Sequence, residues 1–253
     1  MKTSLLWNTY ARDIEWFGYS VRSFQKYARG FNEAVCFVPS RDRALFHPIC
    51  EGAGIKLRCE EEWPGAGFLF HEFWQCSADQ LCEGDVIFHI DADTCFARPV
   101  TPLDWMKDGK IVVPFKRFAD YDQEFGPKMW KPTVDIAIGG DVQLSTMITP
   151  PYVHYREVYE VTRASVTDRH PEGFRDYVRS CKNDFPQTFC EFETLGATAQ
   201  NLFHNDYRWH DVDKDGNPFR DYVAEGWSHG GLDLVTDRFC GLTARQKFAS
   251  IGL

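Results

Sequence analysis

The sequence predicts an α/β fold whose central sheet is mostly parallel and covered by helices on both faces. Short, continuous apolar runs recur through the first half of the chain and alternate with segments of helical periodicity. Strands covered by helices on both faces have this continuous apolar pattern, because neither face meets water. The chain has 253 residues with no internal repeat or linker, so we expect a single domain.

Five strands are predicted, at residues 4–7, 34–38, 55–59, 86–90 and 111–115. The run at 86–90 has the strongest strand pattern. Phe17, Val21 and Phe24 fall at helical spacing after Asp13, which predicts a helix capped by Asp13. A second helix is predicted over 67–81. The second half is less regular, and it predicts helices at 153–164, 174–181 and 193–202 and a hairpin at 209–223.

Composition counts against several classes of protein. The net charge of −9 disfavours a broad basic groove for duplex DNA. The nine cysteines form no metal-binding cluster, and their odd number and dispersed spacing are typical of a reducing compartment. We see no signal peptide and no run of the roughly 18 apolar residues that a membrane helix needs. The sequence therefore predicts a cytoplasmic protein.

Asp91 and Asp93 follow the strongest predicted strand and carry the candidate chemistry. Two carboxylates at the end of a buried strand are costly to leave unpaired. Mg²⁺ or Mn²⁺ is their natural partner, because these ions prefer oxygen ligands and bind through one or two carboxylates plus phosphate oxygens. The ordinary alternative is a solvated acidic turn. We expect a divalent cation here, at the carboxyl end of the strand where α/β sheets bind ligands.

The segment 87–94, which contains this acidic pair, resembles the D-x-D element of GT-A-fold glycosyltransferases. The resemblance implies a GT-A-like Rossmann-type fold, a nucleotide-sugar donor and a Mn²⁺ or Mg²⁺ cofactor. It implies that Asp93 is a direct metal ligand. Asp91 would contact the metal or the ribose and sugar of the donor, as a catalytic residue, and Ala92 would border the nucleotide sugar.

The N-terminal segment 6–13 resembles the first strand and nucleotide-contacting loop of the same fold. By that likeness Asn8, Thr9 and Tyr10 border the nucleotide. The resemblance covers about residues 1–145, the expected nucleotide-sugar-binding half. About residues 146–253 are the expected acceptor-binding half, where the likeness is thin.

A histidine near the C-terminus is a candidate third metal ligand. His229 lies in a glycine-bounded loop between Gly226 and Gly231, and many GT-A enzymes take a metal ligand from a late histidine. Flanking glycines would let the backbone approach a diphosphate closely. A structural histidine is the alternative, and the Lys-Pro-Trp ending of glycogenin-like enzymes is absent.

Glu191 and Glu193 are the candidate general bases, since an inverting enzyme needs a group that takes the proton of the acceptor hydroxyl. Their alternative role is acidic charge at the start of a helix. A retaining enzyme would not require this base, so the stereochemistry is left open.

Other motifs give weaker predictions. Gly139 and Gly140 are candidate donor-sugar or acceptor contacts, with an ordinary tight turn as the alternative. A basic stretch could meet phosphates, although a solvated face is the default; its members are Lys116, Arg117, Lys128 and Lys131. Residues 211–222 match only the first half of an EF-hand loop, because Tyr222 stands where the bidentate glutamate is required.

These observations predict a metal-dependent glycosyltransferase with a nucleotide-sugar donor, UDP-linked in the first instance. The acceptor is open between a saccharide, a protein side chain and a hydroxylated base of modified DNA. The acidity counts against modified DNA. The cytoplasm would be that of a bacterium or a phage-infected host. Two alternatives are a nucleotidyltransferase, which lacks any supporting phosphate-binding motif, and a non-catalytic nucleotide- or sugar-binding module on the same scaffold.

Overall fold

The computed structural model describes residues 1–121, 129–183, 188–226, 231–234 and 241–253. Its strands are β1 (Thr3–Asn8), β2 (Glu33–Pro39), β3 (Lys56–Glu60), β4 (Val86–His89), β5 (Thr94–Phe96), β6 (Met106–Lys107), β7 (Lys110–Arg117), β8 (Leu144–Ser145), β9 (Tyr152–Tyr155), β10 (Tyr207–Asp211) and β11 (Val223–Glu225). Its helices are α1 (Ile14–Tyr27), α2 (Arg43–Ala53), α3 (Gly67–Gln75), α4 (Ala78–Leu81), α5 (Lys131–Ile138), α6 (Arg156–Thr167), α7 (Phe174–Ser180), α8 (Glu191–Leu202), α9 (Val212–Asp215) and α10 (Ala244–Ser250).

The central sheet has five strands in the order β3-β2-β1-β4-β9. The first four are parallel to their neighbours, and only β9 runs antiparallel, beside β4. The prediction of an α/β fold with a mostly parallel sheet is confirmed. Because β1 and β4 are parallel neighbours, the loops that follow them emerge side by side at the same edge.

Helices cover both faces of this sheet, as the continuous apolar strands predict. On one face, Trp7 of β1 packs edge-on against Phe17 of α1, with ring centroids 5.8 Å apart. On the other face, Phe37 of β2 lies against Trp74 of α3 at 5.0 Å. Such aromatic pairs add about 0.5–1.5 kcal/mol beyond the area that they bury. The aromatic-rich composition therefore forms much of the core.

The strand predicted at 111–115 forms, but it is not part of the central sheet. It lies in β7, which belongs to a second sheet with the order β10-β7-β6 and with β8 also paired to β7. A continuous apolar run marks a buried strand in any sheet. The pattern therefore predicted the strand and could not predict its partners.

Two predictions in the second half are wrong. The helix predicted from residue 153 begins at Arg156, because residues 152–155 form β9 and pair with the otherwise open edge of β4. The hairpin predicted at 209–223 does not form. Its first arm lies in β10, which pairs in parallel with β7, and its second arm leads into β11, which pairs with β5. Both arms find backbone partners that are distant in sequence.

Smaller differences concern helix ends. The helix predicted over 67–81 is divided into α3 and α4. Asp13 precedes α1 as predicted, but its side chain makes no capping hydrogen bond; it forms an ion pair with Arg12 at 3.4 Å. In the described ranges, no helix combines the length and apolar character that a bilayer crossing needs.

Two helical glycines make a matched test of the packing. A side chain at Gly196 in α8 would overlap the side chain of Thr146, whereas nothing lies within 4 Å of the corresponding position at Gly52 in α2. Gly196→Ala should lower the free energy of unfolding by about 1–3 kcal/mol, because the site is already full. Gly52→Ala should raise it by roughly 0.5–1 kcal/mol through helix propensity. Urea denaturation measures both, and stabilisation by Gly196→Ala would contradict the packing.

Candidate active site

Asp91 and Asp93 lie in the loop between β4 and β5, at the carboxyl edge of the central sheet. A tight turn forms here, in which the Thr94 N–H donates to the carbonyl of Asp91 at 3.0 Å. Both carboxylates are half-buried, and Ala92 between them is buried. The acidic pair that the sequence predicts is therefore held in a folded turn at the carboxyl edge of the sheet, where α/β folds generally bind their ligands.

Helix α1 fixes the strand that follows this turn. The Ser20 hydroxyl donates to the carbonyl of Thr94 at 2.6 Å and accepts from the indole N–H of Trp7 at 2.8 Å. The Ser23 hydroxyl accepts from the backbone N–H of Phe96 at 2.9 Å. These bonds join β1, α1 and β5, so they restrict how far the acidic turn can move.

The late glycine segment meets the acidic turn directly. The Gly226 N–H donates to the carbonyl of Asp93 at 2.6 Å. A side chain at Gly226 would overlap the ring of Trp16 and stand 2.8 Å from the same carbonyl oxygen. Glycine is therefore required for this close approach. Gly226, which contacts Asp93, precedes His229 by three residues in the sequence. His229 itself lies outside the described residues.

Several carboxyl groups share this edge of the sheet. Burial raises the pKa of Asp91 well above its usual range, and the charges of Asp93, Glu191 and Glu225 raise it further. Such crowding makes it unfavourable for all of these carboxyl groups to be ionised at once, because like charges repel strongly where water is scarce. A cation among them would reverse that preference.

The loop after β1 borders the acidic turn, although its three predicted residues differ in what they offer. The Asn8 amide is buried and donates to the carbonyl of His71 at 2.8 Å, so this residue fastens α3 to β1. The Thr9 hydroxyl is buried and has no hydrogen-bond partner among the described residues. Tyr10 is half-buried, and the charge of Asp93 is among those that raise its pKa, after burial and Asp13.

Glu191 and Glu193, the two candidate bases, have different surroundings. Glu191 begins α8, is buried, and meets Glu72 of α3, which accepts the Glu191 backbone N–H at 3.1 Å. Glu193 is wholly buried; it accepts from the Ser145 hydroxyl at 2.5 Å and the Thr146 N–H at 2.9 Å. Burial raises the pKa of Glu193 to about 7. Glu193 therefore holds the end of β8 and the following residue in place, and the role of either glutamate as a general base stays a prediction.

Three further residues lie at this edge and were not predicted from the sequence, namely Glu72, Tyr152 and Glu225. Burial and the charge of Asp91 are the leading causes that raise the pKa of Tyr152 well above its usual range, so its hydroxyl is a proton donor at ordinary pH. The Glu225 carboxylate accepts from the Thr149 hydroxyl. Of these three, Glu72 alone has a visible signal in the sequence, because it is the one charged carboxylate in the largely apolar α3 and buried charge is costly.

The remaining predicted contacts take ordinary structural roles. Gly139 ends α5 in the left-handed conformation, with Arg169 close against it; the donor or acceptor role of Gly139 and Gly140 stays a prediction. The described cations of the basic stretch pair with carboxylates. Lys131 bonds Asp135 at 2.7 Å, and the other pairs are Lys116–Asp213 and Arg117–Asp211. Lys128 lies outside the described residues.

The described residues do not form a complete metal site. Within them, no three His, Cys, Asp or Glu side chains are grouped so as to hold a metal ion. Asp91 and Asp93 can provide two carboxylates, which suits Mg²⁺ or Mn²⁺ because these ions commonly take their other ligands from phosphates and water. These two carboxylates are thus chemically suitable ligands for either ion, and other groups would have to complete its coordination.

Comparison with known proteins shows distant structural likeness. No family model matches the chain, and no curated protein matches its sequence. The fold is similar to that of glucosyl-3-phosphoglycerate synthase from Mycobacterium tuberculosis with bound Mn²⁺, UDP and glucosyl-3-phosphoglycerate, at 15% identity and a TM-score of 0.43, covering 87% of this chain and 76% of that one. The same enzyme with Mn²⁺, UDP and phosphoglyceric acid is 15% identical at a TM-score of 0.43, and the match covers 83% of this chain and 68% of that one.

A mycobacterial protein gives 15% identity and a TM-score of 0.44 over 83% of this chain. The chain spans 65% of that protein, which is just under two thirds of its length.

The buried Glu193 predicts a distinct pH dependence of stability. Its pKa is about 7 in the fold and 4.5 ordinarily, so the folded state binds the proton more tightly. The resulting stability is complete below pH 4.5 and is lost as the pH rises through 7. Relative to Glu193→Gln, the wild-type free energy of unfolding should fall by about 3 kcal/mol between pH 4.5 and 8.

Glu160→Gln, which alters an exposed glutamate of α6, is the control for a general change of charge. Denaturant unfolding at a series of pH values gives the comparison. Parallel curves for the wild type and Glu193→Gln would show that the pKa of Glu193 is the same in the folded and unfolded states, which would contradict the raised pKa of the buried carboxyl group.

Proposed function

We propose that the chain is a metal-dependent glycosyltransferase that transfers a sugar from a nucleotide-sugar donor, UDP-linked in the first instance. The observation that carries the proposal is the acidic turn of Asp91 and Asp93. It follows β4 at the carboxyl edge of a parallel sheet, and its neighbour is the loop after β1.

The donor is proposed to lie across the ends of β1 and β4. Tyr10 offers a half-exposed ring for stacking, and the buried Thr9 hydroxyl lacks a partner within the described ranges, so it is available to a nucleotide. Asn8 supports this loop from beneath through its bond to α3. Ala92 would border the sugar, and Gly139 and Gly140 stay further candidates for donor or acceptor contact.

Asp91 and Asp93 would hold Mn²⁺ or Mg²⁺ together with the diphosphate, and His229 is the proposed third protein ligand. When bound, the ion would act as a Lewis acid that stabilises charge on the leaving diphosphate. The bond from Gly226 to the carbonyl of Asp93 keeps the turn in place while this charge develops. Crowded carboxylates without a cation would repel the donor, which makes the metal a requirement.

Glu191 is the proposed proton acceptor for an inverting reaction. The acceptor oxygen would form a bond to the anomeric carbon of the sugar as the bond from that carbon to the diphosphate oxygen breaks. The diphosphate would leave with the electron pair, and the acceptor proton would pass to the Glu191 carboxylate. Glu193 would support this site by fixing the loop at Ser145 and Thr146.

The acceptor is proposed to bind on the side formed by about residues 146–253, with about residues 1–145 holding the donor. Tyr152 and Glu225 contribute a hydroxyl and a carboxylate there, groups that suit hydrogen bonding to a hydroxylated acceptor. A saccharide, a protein side chain and a hydroxylated base of modified DNA are the acceptor classes, and a cytoplasmic location stays a prediction.

A panel of nucleotide sugars with Mn²⁺, Mg²⁺ or EDTA tests the function. We expect one donor to raise the melting temperature of the wild type only with metal, and to be slowly hydrolysed. Asp93→Ala should abolish both effects, because it removes the proposed direct ligand. Asp221→Asn, at an exposed aspartate, is the matched control and should behave as the wild type. Differential scanning fluorimetry and detection of released UDP give the two readouts.

The outcomes separate the candidate functions. Metal-dependent binding without any hydrolysis would favour the non-catalytic module. Release of pyrophosphate from a nucleoside triphosphate would favour a nucleotidyltransferase. Donor binding that is equal in Mn²⁺ and EDTA would contradict the metal site.

A further inference from the structure

Glu72 and Glu191 form a buried carboxyl pair that joins α3 to the start of α8. The Glu191 N–H donates to Glu72 Oε2 at 3.1 Å, and the two carboxyl groups lie close enough for each to shift the pKa of the other. Glu72 is 4% exposed and Glu191 6% exposed. Two buried carboxylates in contact cannot both be ionised without a large electrostatic cost. One member of the pair therefore carries a proton and donates it to the other.

The surroundings indicate that Glu72 carries this proton. Burial and the neighbouring Glu191 raise the pKa of Glu72 well above its usual range. Burial also raises the pKa of Glu191, but the hydrogen bond from Glu72 and backbone N–H groups of the first turn of α8 oppose that rise. Unpaired N–H groups at a helix start favour negative charge. Glu191 is thus the hydrogen-bond acceptor of the pair.

Helix α3 is itself held firmly, so Glu72 can orient its partner. The carbonyl of His71 accepts from Asn8 at 2.8 Å, and Phe73 stacks on Phe174 with ring centroids 5.6 Å apart. The charge of Asp91 also acts on Glu72, as expected if the pair borders the acidic turn. The charge of Glu191 also raises the pKa of four other neighbouring groups, namely Cys76, Tyr152, Cys190 and Glu193.

We propose that Glu72 is a positioning residue, which holds the Glu191 carboxylate in the orientation needed to accept the proton of the incoming hydroxyl group. This inference rests on the proposed function and adds a residue to it. A glutamate side chain that is free to rotate would spend little time in a productive orientation, whereas a partner on a rigid helix fixes it. Glu72 acts through Glu191 and need not touch the substrate.

Hydrolysis of the nucleotide sugar tests the positioning role, with water as the acceptor. Glu72→Leu fills a similar volume without a hydrogen bond, and it should lower kcat by about 10–100-fold, the usual effect of losing a supporting partner. KM for the donor should be unchanged. Glu72→Gln should restore most of the kcat, because its amide can donate to Glu191 and its carbonyl can accept the Glu191 N–H. Equal kcat in all three proteins would overturn the proposal, as would a raised KM alone.

Infrared spectroscopy without donor or metal tests the pair independently of any activity. At neutral pH the wild type should show a carboxylic-acid C=O stretching band that Glu72→Gln removes and Glu191→Gln retains. Glu193→Gln is the matched control on the same helix, and the band of the pair should persist in it. An unchanged spectrum in Glu72→Gln would overturn the proposal even if Glu72→Leu does not fold.

The two failures are distinguishable. If the wild type hydrolyses no nucleotide sugar but shows a band that Glu72→Gln removes, the proposed function is wrong and the positioning role fails with it, although the proton-sharing pair stands. If hydrolysis occurs and the band is absent, the function stands and the role of Glu72 is wrong.

Discussion

The cost of gathering carboxyl groups at the edge of a buried sheet is the constraint on which the rest of the site depends. Burial and neighbouring charges raise the pKa of Asp91 well above its usual range. Glu72 contacts Glu191, and the charge of Asp91 is among the causes that raise the pKa of Glu72. A fold does not keep such a group without compensation, because unpaired buried charge costs several kcal/mol. The raised pKa values favour protonated carboxyl groups, which lowers this cost, and the proposed divalent cation would lower it further.

Rigid packing around the acidic turn makes this arrangement tolerable. Ser20 and Ser23 of α1 fix β5 from one side, and Gly226 reaches the carbonyl of Asp93 from the other. These bonds hold the backbone of the turn and of β5 in place. Such preorganisation costs folding free energy, and it lowers the reorganisation needed when a charged ligand binds. The same logic extends to Glu193, whose buried carboxyl is held by hydrogen bonds at Ser145 and Thr146.

Local sequence patterns predicted those parts of the structure that depend on neighbouring residues. The continuous apolar strands gave the parallel sheet, and the position of Asp91 and Asp93 after the strongest strand gave the acidic turn at its edge. Features that depend on distant pairing were not predictable in this way. Residues 152–155 form a strand because β4 has an open edge, and β10 pairs with β7, where Tyr207 lies opposite Ile111, far away in the sequence. Glu72 and Tyr152 join the site only through tertiary packing, and His229 lies outside the described residues.

The central claim is that the acidic turn binds a metal ion together with a nucleoside diphosphate. The most direct measurement is an anomalous difference map from crystals grown with Mn²⁺ and UDP. We expect one manganese peak roughly 2 Å from a carboxylate oxygen of Asp93, with the diphosphate oxygens completing its coordination. UDP bound in the crevice without a manganese peak at Asp93 would contradict the account. So would manganese at a different carboxylate cluster, away from the loops that follow β1 and β4.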